Sequence, residues 1–239
     1  MLGTYENIDC MELMATLKDK EIDLAIVDPP YGIDYGNVNK FGKHTGKAFC
    51  RSKDYSDSND NDWDKEPPSP EYFKELFRVS KNQIIFGANH FIERINKNSS
   101  CWLVWDKKTG ENNFADCELA WTSFDSAVRK FEYMWKGMFQ ENMKQKEIRI
   151  HETQKPVALY EWTLRGYAKP NDLILDTHVG SASSLIACEN LGFKYIGCEK
   201  NISKYQKSLQ RLKTHLAQGK LFQRVGRDEI RLEQPSMFA

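Results

Sequence analysis

Short apolar runs alternate with longer amphipathic ones along the chain, and that alternation sets the first expectation. Residues 22–27 (IDLAIV) are apolar and β-branched and stop at Asp28-Pro29-Pro30, so they read as a buried strand whose carboxyl end is fixed by prolines. Residues 83–86 (QIIF), 101–105 (CWLVW), 173–175 (LIL) and 195–198 (YIGC) read as further short strands. Between them the spacing predicts four helices. These run over 70–79, with Ser69 as cap and Pro70 in the first turn, over 157–167, over 182–191 ending at Gly192, and over 202–216. Strands alternating with helices predict an α/β fold built on a mostly parallel sheet.

Length and charge narrow the picture. A chain of 239 residues, 40% of them hydrophobic, can bury a core of ordinary size and is expected to form a single domain over 1–239. No apolar run approaches the roughly 20 residues that span a bilayer. The first residues carry no basic segment followed by an apolar one, so a cytoplasmic protein with no membrane partner is expected. The six cysteines, Cys10, Cys50, Cys101, Cys117, Cys188 and Cys198, lie far apart with no CxxC pair, which argues against a metal site and fits a reducing compartment. Lys plus Arg and Asp plus Glu both number 34, so any grip on nucleic acid has to come from local patches. One such patch is the polar stretch 32–64, basic in its first half and acidic in its second. A loop of that length is usually functional or a solvated linker.

Two sites carry candidate chemistry. The first is Asp28-Pro29-Pro30-Tyr31 at the end of the first predicted strand. An amine conjugated into an aromatic ring, such as that of adenine, is a poor nucleophile. A carboxylate and a carbonyl that both accept from it would draw it towards tetrahedral geometry and free its lone pair. Asp28 can supply the carboxylate and Pro29 the carbonyl, the two prolines keep the acceptors aimed, and Tyr31 offers a flat face for a base taken out of its stack. The alternative is an Asp-Pro turn with Tyr31 in the core.

The second site is the strand and turn Asp176-Thr177-His178-Val179-Gly180-Ser181-Ala182-Ser183, which opens a helix. Its small residues let the backbone approach a ligand. The next predicted strand ends at Glu199, 23 positions after Asp176, where a carboxylate suits ribose hydroxyls. Only one of the three glycines of a pyrophosphate fingerprint is present, so a nucleoside fits better than a dinucleotide. Asp176 would sit well beside the ammonium of an amino acid. The alternative is a plain strand-to-helix connection, and His178 taken alone can equally be structural.

Together these motifs resemble the beta class of S-adenosylmethionine-dependent DNA adenine-N6 methyltransferases, in which the catalytic motif precedes the cofactor motif. The resemblance covers most of the chain. Asn7-Ile8-Asp9-Cys10 followed by IDLAIVDPPY is similar to the segment that holds the cofactor adenine there, with Asp9 the implied partner of its amine. IIFGANHF and WLVWDKK look like the strands that follow the catalytic motif. His151-Glu152-Thr153-Gln154-Lys155-Pro156 resembles that family's HPxQKP segment at the methionine end of the cofactor, with Glu152 in place of proline. The turn departs from DPFxGSGS at Thr177, His178 and Ala182; if Ala182 is left-handed, binding would be weaker. Glu199, Lys200 and Asn201 match the ribose-binding strand end. The resemblance implies a doubly wound fold of the class I methyltransferase type, S-adenosylmethionine as cofactor, double-stranded DNA as partner, and pairing into a homodimer.

Only about twenty residues separate the catalytic half from His151, so no separate recognition domain is evident. Phosphate contacts are expected from Lys40, Lys43, Lys47 and Arg51, from KFEYMWKGMF (alternatively a core or interface strand) and from Lys144-Gln145-Lys146. Cytosine N4 and an RNA base remain as alternative targets, although Asp28 favours adenine by resemblance. A nucleotide-binding regulatory protein without catalysis is a further alternative. An NAD-dependent oxidoreductase fails on the missing glycines.

Overall fold

A computed structural model describes residues 1–33, 64–109, 115–136, 139–151 and 153–225, with side chains to residue 218 in the last helix. Most of the 32–64 stretch, with Lys40, Lys43, Lys47 and Arg51, lies outside the described residues, as does Glu152.

Ten strands are described: β1 (Thr4–Glu6), β2 (Ile22–Val27), β3 (Ser80–Phe86), β4 (Trp102–Asp106), β5 (Cys117–Thr122), β6 (Arg129–Glu132), β7 (Trp135–Lys136), β8 (Phe139–Gln140), β9 (Leu173–Asp176) and β10 (Lys194–Cys198). Six helices accompany them: α1 (Cys10–Thr16), α2 (Pro70–Val79), α3 (Ile92–Ile95), α4 (Val157–Tyr167), α5 (Ser183–Leu191) and α6 (Ile202–Val225). Eight strands form one sheet in the order β1-β10-β9-β2-β3-β5-β4-β6, and β7 pairs with β8 in a separate hairpin. Within the large sheet only β5 runs against its neighbours, β3 and β4.

The sheet is covered on both faces, as doubly wound proteins require. Along β2, Leu24 and Ile26 enter the core shared with Leu159, Leu164, Leu185 and Leu212 of α4, α5 and α6. Ala25 and Val27 point the other way, into a second core with Leu13, Phe73, Leu76 and Ile95 of α1, α2 and α3. The near-continuous apolar run of β2 is what burial on two faces demands.

Helices α2 and α4 span the residues their spacing predicts. Several boundaries differ; β4 lies one residue later than expected, and β9 and β10 are each one residue longer. Ala182 is not the first residue of α5 but its cap, left-handed at φ 63 and ψ 21, because the chain must reverse between the strand end and the helix. Helix α6 continues past Leu216 to Val225. Strand β3 starts at Ser80, directly after α2, so no loop intervenes. The segment KFEYMWKGMF divides into β6, at the sheet edge, and the hairpin strands β7 and β8; Phe131 packs on the core and Trp135 is buried.

Candidate active site

The carboxyl ends of β2, β9 and β10 sit side by side in the sheet, and the two candidate motifs therefore meet. A cavity of about 540 Å³ opens there, within the range of small-molecule sites. Asp28 and Pro30 line it from the end of β2, Gly180 and Ser181 from the turn after β9, and Glu199 from the end of β10. Asp9, Cys10, His151, Gln154, Lys155, His178, Lys200 and Asn201 complete the expected set on its wall. Pro29, Tyr31, Pro156, Asp176, Ala182 and Ser183 are not on that wall.

Around Asp28 the donors are dense. Lys155 Nζ lies 2.7 Å from both Asp28 carboxylate oxygens, and the Tyr31 hydroxyl donates to Oδ1 at 2.8 Å. Lys155 is nearly inaccessible and reaches a second carboxylate, Glu118 Oε2, at 3.0 Å. Glu118 in turn pairs with Lys107 at 2.5 Å. Burial pulls the pKa of the Lys155 ammonium down, but Asp28 and Glu118 outweigh burial and raise it above its ordinary value. Burial also works against Glu118, yet the two lysines bring its carboxyl down to about 2.

Tyr31 differs from its expected position as an open platform. Its ring is nearly parallel to that of His90, with centroids 5.2 Å apart. Gly87, at φ +68, leaves room for it: a Cβ there would fall 2.0 Å from the ring. Asp64, buried where the long polar stretch returns, accepts from the backbone N–H groups of Tyr31 at 2.6 Å and Gly32 at 3.0 Å. It pins the chain immediately after the prolines.

The turn after β9 is built from backbone conformations that favour small residues. Gly180 has φ +53, and its N–H donates to Glu199 Oε2 at 3.1 Å. Glu199 Oε1 accepts from Asn201 N–H at 2.9 Å, and Asn7 donates to the carbonyls of Glu199 and Lys200, so the end of β10 is held from both sides. Arg211 of α6 donates to the Ser181 carbonyl at 2.6 Å and to the Ser183 hydroxyl at 2.9 Å, while its other arm pairs with Glu147 at 2.7 Å. The turn is thus fastened to the helix behind it.

Asp176 is turned away from the cavity. It accepts from the Ser184 hydroxyl at 2.5 Å and from His178 N–H at 2.9 Å, and burial raises its carboxyl to about 7 against those donors. Asp9 caps α1 through Met11 N–H and pairs with Lys200 at 2.9 Å, chiefly the latter lowering its carboxyl.

Thr177 and His178, the departures in the turn, have partners of their own. The Tyr72 hydroxyl lies 2.6 Å from Thr177 Oγ1, which lies 3.0 Å from His178 Nδ1. Burial holds His178 neutral, down to about 4, with Asp9 opposing. His151 is also neutral, lowered to about 3 by burial and then by Lys204, Lys155, Arg149 and Lys207.

Glu118, Asp64, Tyr72 and Arg211 do not follow from the motifs. For Glu118 a signal existed: a carboxylate two places before Ala120 in the apolar run of β5 sits on the inward face.

Residues 104–210 match the family model described as DNA methylase, N6_N4_Mtase. Over 259 aligned residues the chain is 27% identical to the Type II methyltransferase M.HinfI of Haemophilus influenzae, covering 89% of this chain and 69% of that one. Among solved structures, an M1.HpyAVI–SAM complex is similar with a TM-score of 0.51 at 21% identity, over 87% of this chain and 99% of the other. The cytosine-N4-specific PvuII DNA methyltransferase gives a TM-score of 0.53 at 14% identity, over 90% and 92%. These two likenesses establish the class I methyltransferase fold.

Proposed function

We propose that the chain is an S-adenosylmethionine-dependent DNA methyltransferase that acts on the N6 amine of adenine. The coarser part, methyl transfer to DNA, is supported by the DNA methylase match and by the likeness to M.HinfI. The finer part rests on Asp28, which lines the same cavity as Gly180, Ser181 and Glu199 and which, by the resemblance, favours adenine over cytosine.

The residues fit S-adenosylmethionine. The Gly180 turn brings backbone close to the cavity without a side chain, and the Glu199 carboxylate at the strand end suits ribose hydroxyls. His151, Gln154 and Lys155 line the wall where the resemblance implies the methionine end, with Asp9 and Cys10 at the adenine end. Bound there, the cofactor supplies an electrophilic methyl group on sulfonium.

The protein's own part is to make the amine nucleophilic and to receive its proton. Asp28 and the Pro29 carbonyl accept from the amine, releasing its lone pair from the ring. The new bond is N–C, the broken one C–S, and the proton leaves through Asp28 to water. A base taken out of the duplex would reach Asp28 through the cavity, whose wall the Tyr31 ring, stacked on His90, does not join. No covalent bond to the protein is needed.

Nucleoside analysis separates adenine from cytosine as the target, the fold being shared with a cytosine-N4 enzyme. It follows incubation with radiolabelled S-adenosylmethionine and unmethylated DNA. Labelled N6-methyladenine is the expected product, and labelled N4-methylcytosine or unlabelled DNA would overturn the reading. Asp28→Ala should lower kcat by about 10²–10³ or more while cofactor affinity stays close to wild type. Full turnover in that variant would remove Asp28 from the chemistry.

A further inference from the structure

Asp28 is heavily engaged in the structure, with three of its roughly four acceptor positions taken. Both of its oxygens are within 2.7 Å of Lys155, and one also accepts from Tyr31. An incoming amine competes with these donors for the carboxylate, and Asp28 serves it better the further they can withdraw. A buried ammonium left with no carboxylate would cost about 3–5 kcal/mol, so Lys155 can withdraw from Asp28 only towards another one.

Glu118 offers both donors a second acceptor. Its Oε2 is 3.0 Å from Lys155 Nζ and 3.4 Å from the Tyr31 hydroxyl. It reaches the site from β5, opposite Trp105 of β4, so its backbone position is fixed by the antiparallel register. Lys107 holds its other oxygen at 2.5 Å, which keeps the carboxylate ionised and aimed. The charges balance, two carboxylates against two ammoniums, and Lys155 can tilt between Asp28 and Glu118 without ever being unpaired.

We propose that Glu118 is a positioning residue for the reaction, the acceptor that takes Lys155 and Tyr31 so that an oxygen of Asp28 becomes available to the target amine. The inference rests on the methyltransferase reading of the site. Glu118 touches neither the amine nor the cofactor and acts only through Lys155 and Tyr31. Without it Lys155 has one carboxylate left and stays on Asp28.

Steady-state methyl transfer by wild type and Glu118→Gln, with cofactor affinity measured separately, tests this. Glutamine keeps the shape and removes the charge. The expected result is a kcat lower by roughly ten- to a hundredfold, as for a misplaced reacting group, with DNA KM and cofactor Kd within about threefold of wild type. A variant in which Lys107→Met accompanies Glu118→Gln restores the charge balance. If Glu118 served only to neutralise the lysines, this double variant would recover the wild-type kcat, and the proposal would fall. If Glu118 positions Lys155, the double variant stays slow; it also decides the matter should Glu118→Gln alone not fold. A Glu118→Gln protein with wild-type kcat, or one altered in KM or Kd alone, overturns the inference while the function stands. A wild-type protein that transfers no methyl group to a DNA amine overturns both.

Discussion

Replacing Ala182 with glycine sets backbone strain against packing in the turn between β9 and α5. Ala182 is left-handed, and its methyl group is completely buried in the core shared with α4 and α5. Relief of the crowding between Cβ and the next carbonyl should contribute about 1–2 kcal/mol. Against this, glycine's freedom in the unfolded chain costs about 0.4–1 kcal/mol, and the lost methyl burial costs about 0.8 kcal/mol. The three nearly cancel, leaving the variant within about 1 kcal/mol of wild type, or about 2–4 °C in Tm for a chain of this size. Urea and thermal unfolding of both proteins would measure the difference. Ala182→Val adds bulk to a closed core at the same dihedral and should cost a further 1–3 kcal/mol or so from overpacking. A Tm shift in Ala182→Gly beyond about 8 °C would refute the balance. Upward, it would mean that the methyl packs poorly; downward, that the turn carries no strain.

Gly87→Ala should be severe, because a Cβ would meet the Tyr31 ring at 2.0–2.4 Å and φ is +68. About 1–3 kcal/mol of overpacking adds to about 1–2 from the left-handed backbone; unfolding and transfer assays should both show losses, and wild-type behaviour in both would contradict the contact. For His178, the folded ring binds its proton only near 4 against an ordinary 6.5, so the unfolded chain binds more protons between these values. Stability from this group is complete above about pH 6.5 and is lost as pH falls through about 4. Asp176, raised to about 7, titrates with the opposite sign but is present in both wild type and His178→Asn, so the difference between their urea midpoints isolates His178. That difference should change between about pH 7 and about pH 4.5, and a constant difference would refute the assignment.

The elements that the sequence made legible are those whose signals are local. Proline stops β2, Pro70 opens α2, and Gly192 closes α5, and each acts within a few residues of the feature it fixes. The two candidate motifs were readable for the same reason. The strands β1 and β6 to β8 are two to four residues long, too short for periodicity to register. Partners such as Glu118, Tyr72 and Arg211 meet their motifs only through the fold: Glu118 stands 87 positions from Tyr31, and Tyr72 stands 105 from Thr177. Motif spacing also could not say which way Asp176 points, and its carboxylate goes to Ser184 and His178.

Strand order has a consequence for how the protein is made. Strand β9 lies between β2 and β10, and Leu173 N–H donates to Asp23, 150 positions earlier. The ribosome therefore delivers β2 and β3 long before the strand that completes the middle of the sheet. Until then, one hydrogen-bonding edge of β2, among the most apolar strands in the chain, has no native neighbour. Such an edge invites pairing with other chains, and closing so long a loop is slow. The nascent protein should depend on holdase chaperones until its last third has emerged, and the candidate site, divided between the ends of β2, β9 and β10, comes into being only in that final step.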